Sequence, residues 1–157
     1  GAKPAATMDE SFPDVMNYVE NHYKVAKDKA HRAICGLSMG GGHSFDISRR
    51  FPTKFDYIGL FSAGLHVSTT GDFRNDFYKQ LQGNEEAKAQ LATLFKNKPK
   101  LYWIGMGKTD FLYKSSADLR RYFDEKGYKY TYMETEGGHI WRNWRVYLTE
   151  FAQKIFK

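Results

Sequence analysis

The chain has 157 residues and a mass of 18.2 kDa, which is room for one domain with its own core and little besides. Its 24 Lys and Arg against 18 Asp and Glu leave a net charge of +6, spread along the sequence with no basic tail or stripe, so nucleic acid is not an expected partner. Aromatic residues are the outlier, 12 Phe, 11 Tyr and 3 Trp making 17% of the chain, and they exclude a disordered or coiled-coil state.

Taken in order, residues 1–10 read as a loose lead-in. Ser11-Phe12-Pro13-Asp14 then opens a helix, with Ser11 as N-cap and Val15, Val19 and Tyr23 as its apolar stripe. After a charged turn, Arg32-Ala33-Ile34-Cys35-Gly36 has the length and composition of a buried strand. A glycine-rich segment continues as a helix from Met39 to about Arg50, stopped by Pro52. Tyr57-Ile58-Gly59-Leu60-Phe61 is a second strand, and residues 63–72 form a loop. Two short helices fill 73–96, the second with Ala87, Leu91, Leu94 and Phe95 on one face. Lys100 to Gly105 is a third strand, Ser115 to Lys126 a helix closed by Gly127, and Tyr128 to Met133 a fourth strand. The last helix runs from Trp141 to Phe156, with Trp144, Leu148, Phe151 and Ile155 as its stripe. Strands alternating with helices predict an α/β fold with a parallel sheet and helices on both faces. The whole chain reads as a single domain.

Cys35, the one cysteine, allows neither an internal disulfide nor a Cys-based zinc site, and no two histidines have ligand spacing, so no metal or cofactor is expected. No apolar run approaches the roughly 20 residues of a membrane span, so no membrane partner is expected. Gly1 to Thr7 lacks the apolar stretch of a signal peptide, and a start at Gly leaves native targeting unread.

The sharpest motif is Gly36-Leu37-Ser38-Met39-Gly40, a G-x-S-x-G between a predicted strand and a predicted helix. The pentapeptide alone is common; its place in the chain gives it meaning. A serine on a sharp strand-to-helix turn needs strained backbone angles and small residues at −2 and +2, here Gly36 and Gly40. The helix that follows aims its amide dipoles at an oxyanion forming beside the serine, with the Met39 N–H as first donor.

A serine nucleophile needs a base, and the base a carboxylate to orient it. His22 and His31 fall on a helix end and a charged turn, and His43 within the helix after the motif, where solvation or packing explains them. His66 follows the second strand on a loop able to rim a site. His139 follows Gly137-Gly138 just past the fourth strand, at the carboxyl edge where α/β proteins place their ligands. Asp110 follows the third strand at the same edge, whereas Asp118 and Asp124 fall within a helix. The order Ser38, Asp110, His139 is the one the α/β-hydrolases use.

Three segments carry a resemblance: Gly36 to Gly41, Gly107-Lys108-Thr109-Asp110-Phe111, and Gly137-Gly138-His139-Ile140-Trp141-Arg142-Asn143-Trp144-Arg145. Together they resemble the esterase D-like family of the α/β-hydrolase superfamily, and within it most closely the family 1 carbohydrate esterases, which include feruloyl and acetylxylan esterases. The resemblance covers Phe12 to Phe156. It implies Ser38 as nucleophile, Asp110 as acid, His139 as general base and the Met39 amide as oxyanion donor. It also implies ester substrates linked to plant cell-wall carbohydrate, as in xylan degradation, with Trp141, Phe111 and Tyr113 flanking the triad as stacking surfaces for an aromatic acyl group. A secreted or periplasmic location follows from the resemblance alone. In that family the serine turn follows the fifth strand, so the chain is expected to be a C-terminal part lacking the first four strands and the loop that gives a second oxyanion N–H. Its exposed Ala33-Ile34-Cys35 edge is then expected to form a homodimer or to pair with the missing half. An S-formylglutathione hydrolase-like thioesterase and a catalytically weak remnant acting as an interaction module are the alternatives.

Overall fold

A computed structural model describes residues 8–22 and 28–157. Four strands, β1 (Ala33–Leu37), β2 (Tyr57–Phe61), β3 (Leu101–Gly107) and β4 (Thr131–Thr135), form one sheet in the order β1-β2-β3-β4. Every neighbouring pair is parallel, as the alternation of strands and helices predicted. The register aligns Leu37 with Phe61, Phe61 with Gly105, and Gly107 with Thr135. The loops that begin at Ser38, Ser62, Lys108 and Glu136 therefore leave from one edge of the sheet.

Alternation within the strands divides the aromatics between two faces. On one, Tyr57, Phe61 and Trp103 pack against Tyr147 and Phe151 of α6 (Trp141–Ala152). On the other, Ile58, Leu60, Tyr102 and Ile104 meet four helices: α2 (Met39–Arg50), α3 (Phe77–Gln82), α4 (Glu85–Lys96) and α5 (Tyr113–Lys126). Leu91 and Leu94 of α4 and Leu119 and Phe123 of α5 are at most 1% exposed in that layer. The aromatic excess of the sequence is thus spent on the two sides of a small sheet. Fully burying one such ring contributes about 1.5–3 kcal/mol.

Boundaries differ from expectation where side chains are engaged elsewhere. The first helix, α1, runs Met8–His22, so residues 8–10 are helical rather than lead-in and Ser11 lies inside the helix instead of capping it. Residues 1–7 and Tyr23 lie outside the described residues. Pro13 is accommodated within α1 at the loss of one backbone bond. Phe12 ties this helix to Phe51 and Phe55, with ring centroids 5.8 and 5.9 Å apart. The fourth strand starts at Thr131 rather than Tyr128, because Tyr128 stacks on Phe95 at 4.3 Å and the Tyr130 hydroxyl donates to Asp124. Helix α6 stops at Ala152, short of Phe156, whose φ of +61° turns its ring onto Tyr57. Strand β1 pairs only with β2 among the described residues, and Cys35 and Leu37 are exposed beside its free edge.

Candidate active site

Ser38 sits alone between β1 and α2 with φ 55° and ψ −118°. A non-glycine residue there costs about 1–3 kcal/mol and persists only when its surroundings hold it. Three backbone bonds do so: Ser38 N–H donates to Phe61 O at 2.9 Å, and Ser38 O accepts from Gly42 N–H at 3.2 Å and Gly64 N–H at 3.0 Å. The ends of β1 and β2 are thereby fastened to one serine.

The glycines divide differently from the sequence expectation. A Cβ on Gly36 would lie 2.3 Å from the Gly40 carbonyl carbon, and one on Gly42 2.3 Å from Gly64 O, so these positions exclude any side chain. Gly40 itself would place a Cβ in open space, so the clearance assigned to it belongs to Gly42 and to Gly41, whose Cβ would lie 2.6 Å from that of Ala63. The first turn of α2 lays the Gly40 carbonyl against Gly36 of β1 and turns Gly41 and Gly42 toward the loop after β2.

Asp110 and His139 reach the serine from the loops after β3 and β4. The Asp110 carboxylate is buried, accepting the Leu112 N–H on Oδ1 at 2.8 Å and meeting His139 Nδ1 with Oδ2 at 2.8 Å. His139 Nε2 lies 3.0 Å from Ser38 Oγ. With a carboxylate on Nδ1, the imidazole carries its proton there and offers Nε2 as acceptor to the Ser38 hydroxyl. A relay of this kind can take a proton from an attacking hydroxyl and return it to a leaving group. The Met39 N–H, at the first position of α2, has no acceptor among the described residues and stands beside Ser38 at the positive end of the helix dipole.

Two rings hold the imidazole edgewise: Phe111 and Trp144, each with its centroid 4.9 Å from that of His139. Phe111 is 77% exposed and so presents a free aromatic surface beside His139. Next to it opens a recess of about 290 Å³, between Gly64, Leu65 and Phe77 on one wall and Phe111, Leu112 and Ser115 on the other. The loop that forms the first wall is fixed by buried Gln80, which accepts from Val67 N–H at 3.1 Å and donates to Phe73 O at 2.8 Å.

The other expected contacts are not brought to the serine. Tyr113 turns toward β4, its hydroxyl donating to Glu134 Oε1 at 2.7 Å; this bond, with the Tyr132 hydroxyl as a second donor, holds the Glu134 carboxyl below its usual range. His66 is exposed and lines a separate cavity of about 200 Å³ with Ser68, Thr69 and Phe73. Trp141 is 65% exposed and meets Trp144 edge-on at 6.2 Å, one ring removed from His139. Trp144, which the sequence placed in the apolar stripe of α6 and in the resembling segment but not among the substrate contacts, is the tryptophan that touches the imidazole. Buried Asn143 was also missed; its Nδ2 donates to the Glu136 and Gly138 carbonyls of the histidine loop. A polar residue amid the aromatics of the last helix was the available signal. Among the described residues no cluster of His, Cys, Asp and Glu is arranged to hold a metal ion, and no helix is long and apolar enough to cross a membrane.

A sequence model of the esterase family, described as "Putative esterase", matches residues 13–155. The chain belongs to this esterase family. Among the esterases it is similar to an acetyl esterase of Caldicellulosiruptor saccharolyticus, 24% identical over 92% of this chain and 61% of that protein. It is also similar to an endo-1,4-beta-xylanase/feruloyl esterase of Xylanibacter ruminicola, 29% identical over 96% of this chain and 17% of that protein. Among solved structures, S-formylglutathione hydrolase of Staphylococcus aureus superposes with a TM-score of 0.77 at 20% identity, over 100% of this chain and 67% of that one. A ferulic acid esterase of Anaeromyces mucronatus superposes with a TM-score of 0.71 at 22% identity, over 99% of this chain and 59% of that one. The fold is that of the α/β-hydrolase esterases, and the chain spans 61% of the acetyl esterase's length.

Proposed function

We propose that this esterase acts as a serine carboxylesterase on acetyl or hydroxycinnamoyl esters of plant cell-wall polysaccharide, through an acyl-enzyme on Ser38. The observation that carries the reading is the unbroken run from Ser38 Oγ to His139 Nε2 at 3.0 Å and from His139 Nδ1 to Asp110 at 2.8 Å. Ser38 Oγ attacks the ester carbonyl carbon as its proton passes to His139 Nε2, and the carbonyl oxygen, now an oxyanion, accepts the Met39 N–H. Collapse of this intermediate breaks the C–O bond to the sugar, whose oxygen takes the proton from His139. Water then attacks the acyl-serine, His139 again taking and returning one proton, and the free acid leaves with Ser38 restored.

The exposed face of Phe111 and the recess beside it support an aromatic or small acyl group, in keeping with the acetyl and feruloyl esterase names of the relatives. On initial rates, methyl ferulate and p-nitrophenyl acetate are expected to exceed S-formylglutathione in kcat/KM by at least about 10-fold, the discrimination of one well-used contact. The reverse ranking assigns the site to thioesters, and no turnover of any of the three leaves an interaction module as the better reading.

The same proposal extends to partners. The free edge of β1, with Cys35 and Leu37 exposed beside it, is read as the place where a second copy of the chain, or the additional sequence that makes the relatives longer, is seated. A further backbone N–H for the oxyanion is expected from that side. Light scattering of the chain at high concentration is expected to give twice the monomer mass; a strictly monomeric species contradicts self-association through this edge.

A further inference from the structure

Asn143 stands in the first turn of α6, four residues after His139, and is 4% exposed. A buried side-chain amide is kept where its hydrogens find acceptors, and here both go to the histidine loop. Nδ2 donates to Glu136 O at 3.0 Å and to Gly138 O at 2.9 Å. These two carbonyls flank Gly137, whose φ is +84°. Gly138 O also accepts the Ile140 N–H at 3.0 Å, which closes a tight turn with His139 at its apex. From the neighbouring loop, Thr109 N–H donates to Gly137 O at 3.0 Å. Gly107 leaves the room for this stack, since a Cβ there would lie 2.4 Å from Gly137 O and 3.0 Å from both Gly138 O and Asn143 Nδ2.

We propose that Asn143 is the positioning residue of the general base: one side chain ties together the carbonyls on either side of Gly137, in the limb that leads into His139, so that Nδ1 meets Asp110 while Nε2 meets Ser38. The inference rests on the reading of His139 as base. Neither hydrogen of the Asn143 amide is used by α6 itself, whose first turn is closed by Trp144 N–H to Ile140 O at 3.3 Å. The amide therefore serves the loop, not the helix that carries it. Phe111 and Trp144 limit tilting of the ring from its sides, and Asn143 limits displacement of the backbone beneath it.

The test compares Asn143→Ala and Asn143→Asp with the unmodified chain. With p-nitrophenyl acetate, kcat is expected to fall by about 10- to 100-fold, the effect of a small misplacement of a reacting group, while KM stays within about two-fold. Asn143→Asp is expected to be at least as impaired, because carboxylate oxygens would face the two carbonyls. The far-downfield proton signal of His139 Nδ1–H is expected in the unmodified chain and in Ser38→Ala, and to be broadened or lost in both Asn143 variants. A purely structural role would lower the melting temperature and leave this signal and kcat in place. A folded variant that keeps kcat within about two-fold and keeps the signal overturns the proposal. Should neither variant fold, exchange of the Asn143 side-chain amide protons in the unmodified chain decides: slow exchange is expected, and exchange as fast as in an exposed asparagine overturns it. Failure of the underlying site reading shows separately, as a Ser38→Ala chain that hydrolyses ester at the unmodified rate.

Discussion

Ser38→Ala is expected to lower kcat for p-nitrophenyl acetate by about 10⁵- to 10⁶-fold, with the melting temperature changed little. The size follows from the role: without Oγ no acyl-enzyme forms, and what remains is the contribution of the oxyanion donor and of binding, about 10³–10⁴ over water in a well-studied serine hydrolase. Stability is expected to hold because Ser38 and Ala tolerate φ 55° equally badly, and the backbone bonds to Phe61, Gly42 and Gly64 that fix the turn do not involve the side chain. Initial rates and a thermal melt on the same preparation check both halves. A variant that loses activity by unfolding would show it in the melt.

Asp110→Asn is expected to cost about 10⁴-fold in kcat while changing the shape of the site hardly at all. Oδ1 still accepts the Leu112 N–H, so the loop keeps its anchor. The atom that matters is Oδ2, 2.8 Å from His139 Nδ1. If an amide nitrogen takes that place, it donates toward Nδ1, which must then become the acceptor; the imidazole proton moves to Nε2, and the atom facing Ser38 Oγ can no longer take a proton. If instead the amide oxygen faces Nδ1, the Leu112 N–H meets an N–H group and a buried donor is left unpaired, at about 1–3 kcal/mol. Either outcome penalises the productive tautomer. Steady-state kinetics beside the Ser38→Ala variant would give the comparison, and an Asp110→Asn chain within ten-fold of the unmodified one would mean that the carboxylate does not orient the base.

Much of this was legible because glycine and the apolar runs punctuate the chain. Helix α2 and strand β2 have the limits that Pro52, the glycines and the five-residue run Tyr57–Phe61 indicate. The run from Ser38 through His139 to Asp110 was readable from position alone, since three residues that each follow a parallel strand must share one edge of the sheet. What the sequence hid was direction. Tyr113 opens α5 two residues past Phe111, and only the helix phase shows that its hydroxyl turns to Glu134 while Phe111 turns to the imidazole. Trp141 and Trp144 are equally suggestive as letters, but three residues along a helix separate an exposed ring from one against His139. The clearance at Gly42 rather than Gly40 is likewise a matter of which side of a turn meets the β2 loop, a long-range contact that local pattern does not encode. Strand β4 started late for the same reason: Tyr128 and Tyr130 have strand-like composition, but Tyr128 spends its ring on Phe95 and Tyr130 its hydroxyl on Asp124 before the ladder begins.

Covalent labelling tests the proposed role of Ser38 as nucleophile without assuming a substrate. Treated with a fluorophosphonate and digested, the chain is expected to carry one phosphonyl group, on the peptide containing Ser38, with none on Ser38→Ala and markedly slower labelling of Asp110→Asn. Label on another residue, or labelling of Ser38→Ala at the unmodified rate, would contradict it.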